Sequence, residues 1–510
     1  MNPVLMIQGT SSDVGKSLIV TALCRWFARK GLKVAPFKAQ NMALNSSVTQ
    51  DGAEIGCAQY LQAQAAGQVA SALMNPILLK PEGERNSQVV VLGQATGSCS
   101  FKSYHERKPE LRHIILESLG ELRRTHDLVI IEGAGSPAEI NLKAHDLVNM
   151  FVATSTKAPV LLVGDIDRGG VFASLLGTME WLDPEEKELV AGFIINKFRG
   201  DPSLLYDGLA LLEARTQRKV YGLMPYLRDH GLGDEDSLAL DRRPQRLYRS
   251  EAGIDIAIVR FPRLSNYDEF VSLERETGTT VAYVSEASCI LEADLVILPG
   301  SKATVSDLGW LRSRGLDQAI QQRLAKGRPI LAICGGYQML GARIEDPYGA
   351  EQELGTVVEG LGLLPTYTRF AAHKTTTQVQ VQARRPFWGL AVDETWQGYE
   401  IHMGQVYPVS TPNRAEAPWV VLDSQSPSIE GCLGADGALL GTLIHGLFEN
   451  ETFRLQILNF LRQRKGLKPL GHSIVTSRLQ AFDQLADALE THCDMPALVR
   501  LLHLEGSLIC

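Results

Sequence analysis

The sequence predicts an α/β protein built from two doubly wound domains. Three observations lead there. At 510 residues the chain is longer than one ordinary hydrophobic core accommodates. Short, nearly all-apolar runs alternate with amphipathic helical stretches, the pattern of parallel strands covered by helices. The alternation occurs twice, and each series contains an apolar run followed by a glycine-rich turn and a helical stretch.

In the first series, Val4–Gln8, 127–132, 159–165, 191–196 and 220–225 read as buried strands, since almost every position is apolar or β-branched. The stretch 16–30 places Ile19, Leu23, Trp26 and Phe27 on one helical face and stops at Gly31. The run 241–250 is polar and basic without periodicity and reads as a linker. The second series comprises 254–261, 295–299, 329–333 and 439–445. Leu479, Phe482, Leu485 and Leu489 then mark a final helix, expected as an appendage. The expected division is a domain over 1–240, a linker over 241–252, a domain over 253–465 and an appendage over 466–510.

Composition narrows the class. Hydrophobic residues make up 45% and charged residues 21%, ordinary for a globular chain. A net charge of −8 advertises no basic surface for nucleic acid. The eight cysteines contain no C-x-x-C pair, which argues against a zinc site and a disulfide framework. No basic segment precedes an apolar one at the N-terminus, and no apolar run reaches the roughly 18 residues of a spanning helix. A cytoplasmic protein without a membrane partner is expected; oligomeric state is not legible.

The first chemical motif is Gly9-Thr-Ser-Ser-Asp-Val-Gly15-Lys16-Ser17, between a strand and a helix. It departs from the G-x-x-x-x-G-K-[ST] phosphate loop by one residue, because Thr10 stands at the first glycine position. Its context fits: backbone N–H groups of Gly9, Thr10, Asp13, Val14 and Gly15 and the helix N-terminus would cradle the phosphates of ATP. Lys16 would reach the terminal phosphates and Ser17 would hold Mg²⁺. Glu132, ending an apolar strand before Gly133-Ala-Gly135, suits a second Mg²⁺ ligand. Asp13 is a third metal candidate, since an acid facing phosphates is repelled unless a cation intervenes.

The second motif is Ile333-Cys334-Gly335-Gly336-Tyr337-Gln338. A cysteine between a strand and a helix N-terminus is exposed on a sharp turn, where the helix end favours its thiolate. Gly335 and Gly336 would let the backbone turn tightly and offer N–H donors for an oxyanion, with a further donor from Gly300 in the Leu298-Pro-Gly-Ser301 turn. His445, ending another apolar run, would act as general base and then acid. Leu447 stands two residues beyond it, where an acid is usual. Glu449 or another acid would orient the imidazole, or the site would work as a dyad.

The first half resembles the dethiobiotin synthetase-like ATPases, which carry a stretched Gly-Thr…Gly-Lys-[ST] loop and phosphorylate carboxylates or carbamates. That resemblance implies an adenine contact for Asn196. Lys38, after the second strand, could neutralise a transferred phosphoryl group or substrate carboxylate. The second half resembles class I glutamine amidotransferases. Longer stretches, Pro36–Met42, Met74–Pro81, Asn196–Gly200, Pro262–Phe270, Gly398–Gly404 and Gly441–Asn450, resemble the cobyric acid synthases over about residues 5–465. Ala303 departs slightly, standing where that family usually has Asn.

The resemblance implies amidation of the b, d, e and g carboxylates of adenosylcobyrinic acid a,c-diamide to give adenosylcobyric acid. ATP, Mg²⁺ and glutamine would be consumed or used, with a corrinoid as partner. Lys38 and Asp146 are the candidates for substrate or phosphoryl contact, Asp146 having helix capping as its alternative. Glu400 and His402 are distinctive of the family but have no role legible from one sequence. Cobyrinic acid a,c-diamide synthase, which shares both halves, is the alternative. A partitioning-type ATPase would have no use for Cys334 and His445, and a glutamine-binding scaffold with a dead ATP site conflicts with Lys16, Ser17 and Glu132.

Overall fold

The computed structural model describes residues 1–82, 86–227, 243–245, 252–409, 416–422, 427–473 and 475–508. Most of the expected linker lies outside these. The chain forms two compact units. One comprises Met1–Ala43, Ala53–Glu235 and Thr476–Cys510; the other comprises Leu44–Gly52 and Asp236–Val475.

The first unit is built on a six-stranded parallel sheet. Its order is Lys219–Pro225, Val190–Phe198, Val160–Asp165, Val4–Gly9, Leu128–Glu132, Val34–Phe37. The five predicted strands are all present, and Val34–Phe37 completes the sheet. Strand order reverses around Val4–Gly9, so the turn after it opens at the switch point where doubly wound sheets bind ligands. The helix Lys16–Arg29 covers one face, burying Ile19, Leu23, Trp26 and Phe27 as the periodicity predicted.

The C-terminal segment, expected as an appendage, belongs to the first unit. The helix Arg478–His492 packs on Lys16–Arg29, with Leu485 and Leu489 buried in the same apolar cluster as Ile19 and Leu23. Arg25 and Arg29 pair with Asp483 and Asp487 at 2.8 and 2.6 Å. Leu479, predicted on the buried face, is exposed, while Phe482 packs on Leu61 and Ala65. The apolar stripe of Lys16–Arg29 needs a cover, and Arg478–His492 supplies it.

In the second unit, five parallel strands run in the order Thr279–Val284, Ile254–Val259, Leu295–Leu298, Ile330–Ile333, Leu439–Thr442, with Cys432–Leu433 antiparallel at the edge. A long antiparallel hairpin of Thr366–Ala383 and Thr395–Pro408 forms the spine of another sheet. The run 439–445, expected as one strand, is two. Leu439–Thr442 belongs to the parallel sheet, whereas Ile444–His445 pairs with Thr395–Pro408. The break is held by Glu430, whose carboxylate accepts from the Thr442 hydroxyl at 2.6 Å and the Leu443 amide at 2.7 Å.

The segment Leu44–Gly52, which lies in sequence inside the first series, is built into this second unit. Ser46 donates its amide to Asn266 Oδ1 at 3.2 Å, and Tyr267 donates its amide to Asn45 Oδ1 at 3.2 Å. Gln378 donates to the Val48 carbonyl at 2.8 Å. No spacing rule could have revealed this, because these bonds join residues more than two hundred positions apart.

Candidate functional sites

In the first unit, the turn after Val4–Gly9 is locked by its own backbone. Thr10 donates its amide to the Val163 carbonyl at 2.9 Å. Asp13 and Gly15 adopt positive φ of 58° and 98°. A Cβ on Gly15 would sit 2.1 Å from Asn196 Nδ2, so only glycine fits there. Asn196 Nδ2 donates to the Val14 carbonyl at 2.8 Å. The residue that the resemblance assigns to adenine therefore braces the loop in this structure, through the space the missing Cβ leaves. Lys16 Nζ donates to the Ser11 and Gly135 carbonyls at 2.9 and 3.2 Å, which folds its ammonium over the loop.

Glu132, fully buried, is the hub of this site. Its Oε1 accepts from Ser17 Oγ at 2.8 Å and from Lys38 Nζ at 2.9 Å. Its Oε2 accepts from Gln62 Nε2 at 2.5 Å and Gln59 Nε2 at 3.4 Å. Lys38 is itself buried. The sequence pointed to Ser17, Lys38 and Glu132, and the fold brings all three together. Gln59 and Gln62 leave only a polar pair at i, i+3 on a helix face, which does not mark a site.

Asp13 and Asp146 go elsewhere. The Asp13 carboxylate pairs with Arg168 at 2.9 Å and lies 3.9 Å from Lys197, which in turn holds Asp165 at 3.0 Å. Basic side chains thus face this acid in the loop. Asp146 accepts the backbone amides of Val148, Asn149 and Phe151 at 2.8–2.9 Å. Its carboxylate caps the start of Met150–Thr156, which is the structural alternative to a substrate contact.

In the second unit, Cys334 follows Ile330–Ile333 and precedes the helix Gly335–Leu340 with φ 49° and ψ −108°. This is strained for a residue bearing a Cβ and is the geometry of a nucleophile elbow. Its amide donates to the Thr442 carbonyl at 2.8 Å, tying the turn to the neighbouring strand. Glycine is required next door: a Cβ on Gly336 would lie 2.1 Å from the Leu298 carbonyl oxygen. Gly335 packs against Ser301, with an added Cβ meeting the Ser301 amide at 2.7 Å, and Gly300 packs against the His445 ring. The fold therefore gathers Gly300, Gly335, Cys334 and His445. The Gly336 amide is spent on the Pro299 carbonyl at 3.0 Å.

The acid left open by Leu447 is Glu269. Its Oε1 lies 2.8 Å from His445 Nδ1, and its Oε2 accepts the Gly446 amide at 3.0 Å. Glu449 instead accepts from Ser272 Oγ at 3.3 Å. His445 and Glu269 are both buried, and Tyr399 stacks on the imidazole at 5.4 Å and 17°. Tyr399 Oη in turn donates to the Ser46 carbonyl at 3.4 Å.

Burial by itself would depress the imidazole's proton affinity. The Glu269 carboxylate and the Cys334 sulfur, hydrogen-bonded to the ring, outweigh it and push the pKa from 6.5 up to about 10. With Nδ1 on Glu269, the other ring nitrogen is left for the sulfur. Cys334, His445 and Glu269 form a triad able to attack an amide carbon and protonate its leaving nitrogen.

The family model of the CobQ/CobB/MinD/ParA nucleotide binding domain matches residues 5–233, and that of the CobB/CobQ-like glutamine amidotransferase domain matches residues 255–453. Cobyric acid synthase of Sorangium cellulosum is 49% identical, covering 98% of this chain and 99% of its own. That of Desulforudis audaxviator is 49% identical over 98% and 99%. That of Klebsiella pneumoniae is 46% identical over the full length of both. With two-domain similarity of this extent and order, the chain belongs to the cobyric acid synthase family.

Proposed function

We propose that the chain is an ATP- and glutamine-dependent amide ligase of cobalamin biosynthesis. It amidates the b, d, e and g carboxylates of adenosylcobyrinic acid a,c-diamide. The observation that carries this reading is the presence in one chain of the Ser17–Lys38–Glu132 cluster beside a phosphate loop and of the Cys334–His445–Glu269 triad. A carboxylate resists attack by ammonia because its oxygen leaves poorly. Transfer of the terminal phosphoryl of ATP to that oxygen gives an acyl phosphate and ADP, and ammonia then displaces phosphate to form the amide.

In the nitrogen half, Cys334 sulfur adds to the glutamine side-chain carbonyl, with the Gly335 and Gly300 region facing the developing oxyanion. His445 gives its proton to the departing ammonia, leaving a thioester that water hydrolyses to glutamate. Glu269 holds the imidazole in register throughout. In the synthetase half, Lys16 lies over the loop to meet phosphate oxygens, and Lys38 stands ready for the transferred group or its acceptor.

Ser17 Oγ and Glu132 Oε1, 2.8 Å apart beside the phosphate loop, are hard oxygen donors of the kind Mg²⁺ takes and would hold it. Bound there, Mg²⁺ would neutralise phosphate charge. Asp13, engaged by Arg168, is left out of that set.

Mass spectrometry of corrinoid products formed with ATP and glutamine tests the reading. Conversion of the a,c-diamide with gain of four amide groups is expected. Addition at a and c of cobyrinic acid alone would favour cobyrinic acid a,c-diamide synthase.

A further inference from the structure

Gln59 and Gln62 lie one helical turn apart on Cys57–Ala65, and both are fully buried. A buried glutamine is costly unless its amide is satisfied. Here Gln62 Nε2 is satisfied by Glu132 Oε2, while its own Oε1 is buried without a hydrogen-bond partner. Leaving that oxygen orphaned is unfavourable. The arrangement persists with the amide nitrogen, not the oxygen, turned toward the carboxylate.

Gln59 is braced on its other side. Its Oε1 accepts from Asn41 Nδ2 at 3.2 Å, and Asn75 Oδ1 accepts the Gly56 amide at 3.2 Å. An added Cβ on Gly56 would press on Gln59, Asn41 and Asn75 at 2.7–3.0 Å. The polar cluster is therefore packed tightly against the start of the helix, and the Gln59 side chain has little freedom to turn away.

We propose that Gln59 and Gln62 are positioning residues that hold Glu132 Oε2 from behind, so that Oε1 faces Ser17 and Lys38. The proposal rests on the reading of Ser17 and Glu132 as the divalent-cation ligands of an ATP site. Neutral amides suit this role, because they fix the carboxylate's rotation without bringing a second cation to compete with Lys38 or a metal. Partners behind a ligating carboxylate typically govern 10–100-fold in metal affinity.

The test is Mn²⁺ binding, followed by electron paramagnetic resonance on the full-length protein with a non-hydrolysable ATP analogue. Gln62→Met keeps the volume and removes the donor. Its Mn²⁺ dissociation constant is expected to rise ~10–100-fold, with the analogue's affinity in chelator and glutamate release from glutamine both preserved. A folded Gln62→Met protein whose Mn²⁺ affinity moves less than twofold overturns the proposal. Should that variant fail to fold, Gln59→Met, which breaks the longer 3.4 Å bond, carries the same expectation and the same refutation. Failure of the unsubstituted protein to bind Mn²⁺ with the analogue would overturn the ATP-site reading itself, a different outcome.

Discussion

Substitution of Glu269 by glutamine probes the amidotransferase unit most sharply. The change keeps the side chain's shape and removes its charge. In the structure that charge lies 2.8 Å from His445 Nδ1, with both groups buried. A rise in the imidazole pKa from 6.5 to about 10 corresponds to roughly 5 kcal/mol in favour of the imidazolium. Among the groups that raise it, Glu269 contributes most. Breaking one partner of a buried pair costs about 3–5 kcal/mol, equivalent to ~10²–10⁴ in rate if the interaction is needed in the transition state.

Glutamate release by Glu269→Gln should therefore fall by that factor, while amidation with added ammonium stays within about twofold. The pH dependence supplies a second check. The folded imidazole binds its proton more tightly than the unfolded one. Its stabilisation is thus fully present below about pH 6.5 and is lost as pH rises through about 10. Glu269→Gln should shrink the loss of thermal stability between neutral pH and pH 10. Glu449→Gln, by contrast, should leave glutamate release nearly unchanged. Glutamate release within fivefold of normal in a folded Glu269→Gln protein would refute the triad.

Three further outcomes are expected. Lys16→Ala should abolish amidation with glutamine and with ammonia alike while glutamate release persists, and Cys334→Ala should lose only the glutamine-driven reaction; product assays with each nitrogen source distinguish them. Gly336→Ala drives a Cβ to 2.1 Å from the Leu298 carbonyl oxygen. Its overpacking cost of about 1–3 kcal/mol should appear as a lowered unfolding midpoint with nucleotide binding intact, measured calorimetrically with and without ATP.

Much of both sites was legible because strand-end turns have local chemistry. Gly15-Lys16-Ser17 and Cys334-Gly335-Gly336 each need glycine where backbone or side chains crowd the loop, and that requirement is written in consecutive residues. Glu132 was legible from its place at the end of an apolar strand. Glu269 was not: an acid 176 residues ahead of its histidine has no spacing rule, although it lies within the Pro262–Phe270 stretch that carried the resemblance. Asp146, for which the sequence leaves substrate contact and helix capping both open, and Asn196 hold backbone groups that only the folded loops bring near.

Two parallel α/β sheets, the phosphate loop, the cysteine elbow and its histidine are written in the residues, because period, strand-end position and glycine demand are local properties of the chain. Tertiary structure decided which acid serves His445, which amides stand behind Glu132, and that Leu44–Gly52 and the helix Arg478–His492 join units distant from their neighbours in sequence. Those choices depend on hydrogen bonds and apolar contacts between residues tens to hundreds of positions apart. A buried carboxylate or an uncovered apolar stripe demands a partner, but only the packed fold determines which residue it will be.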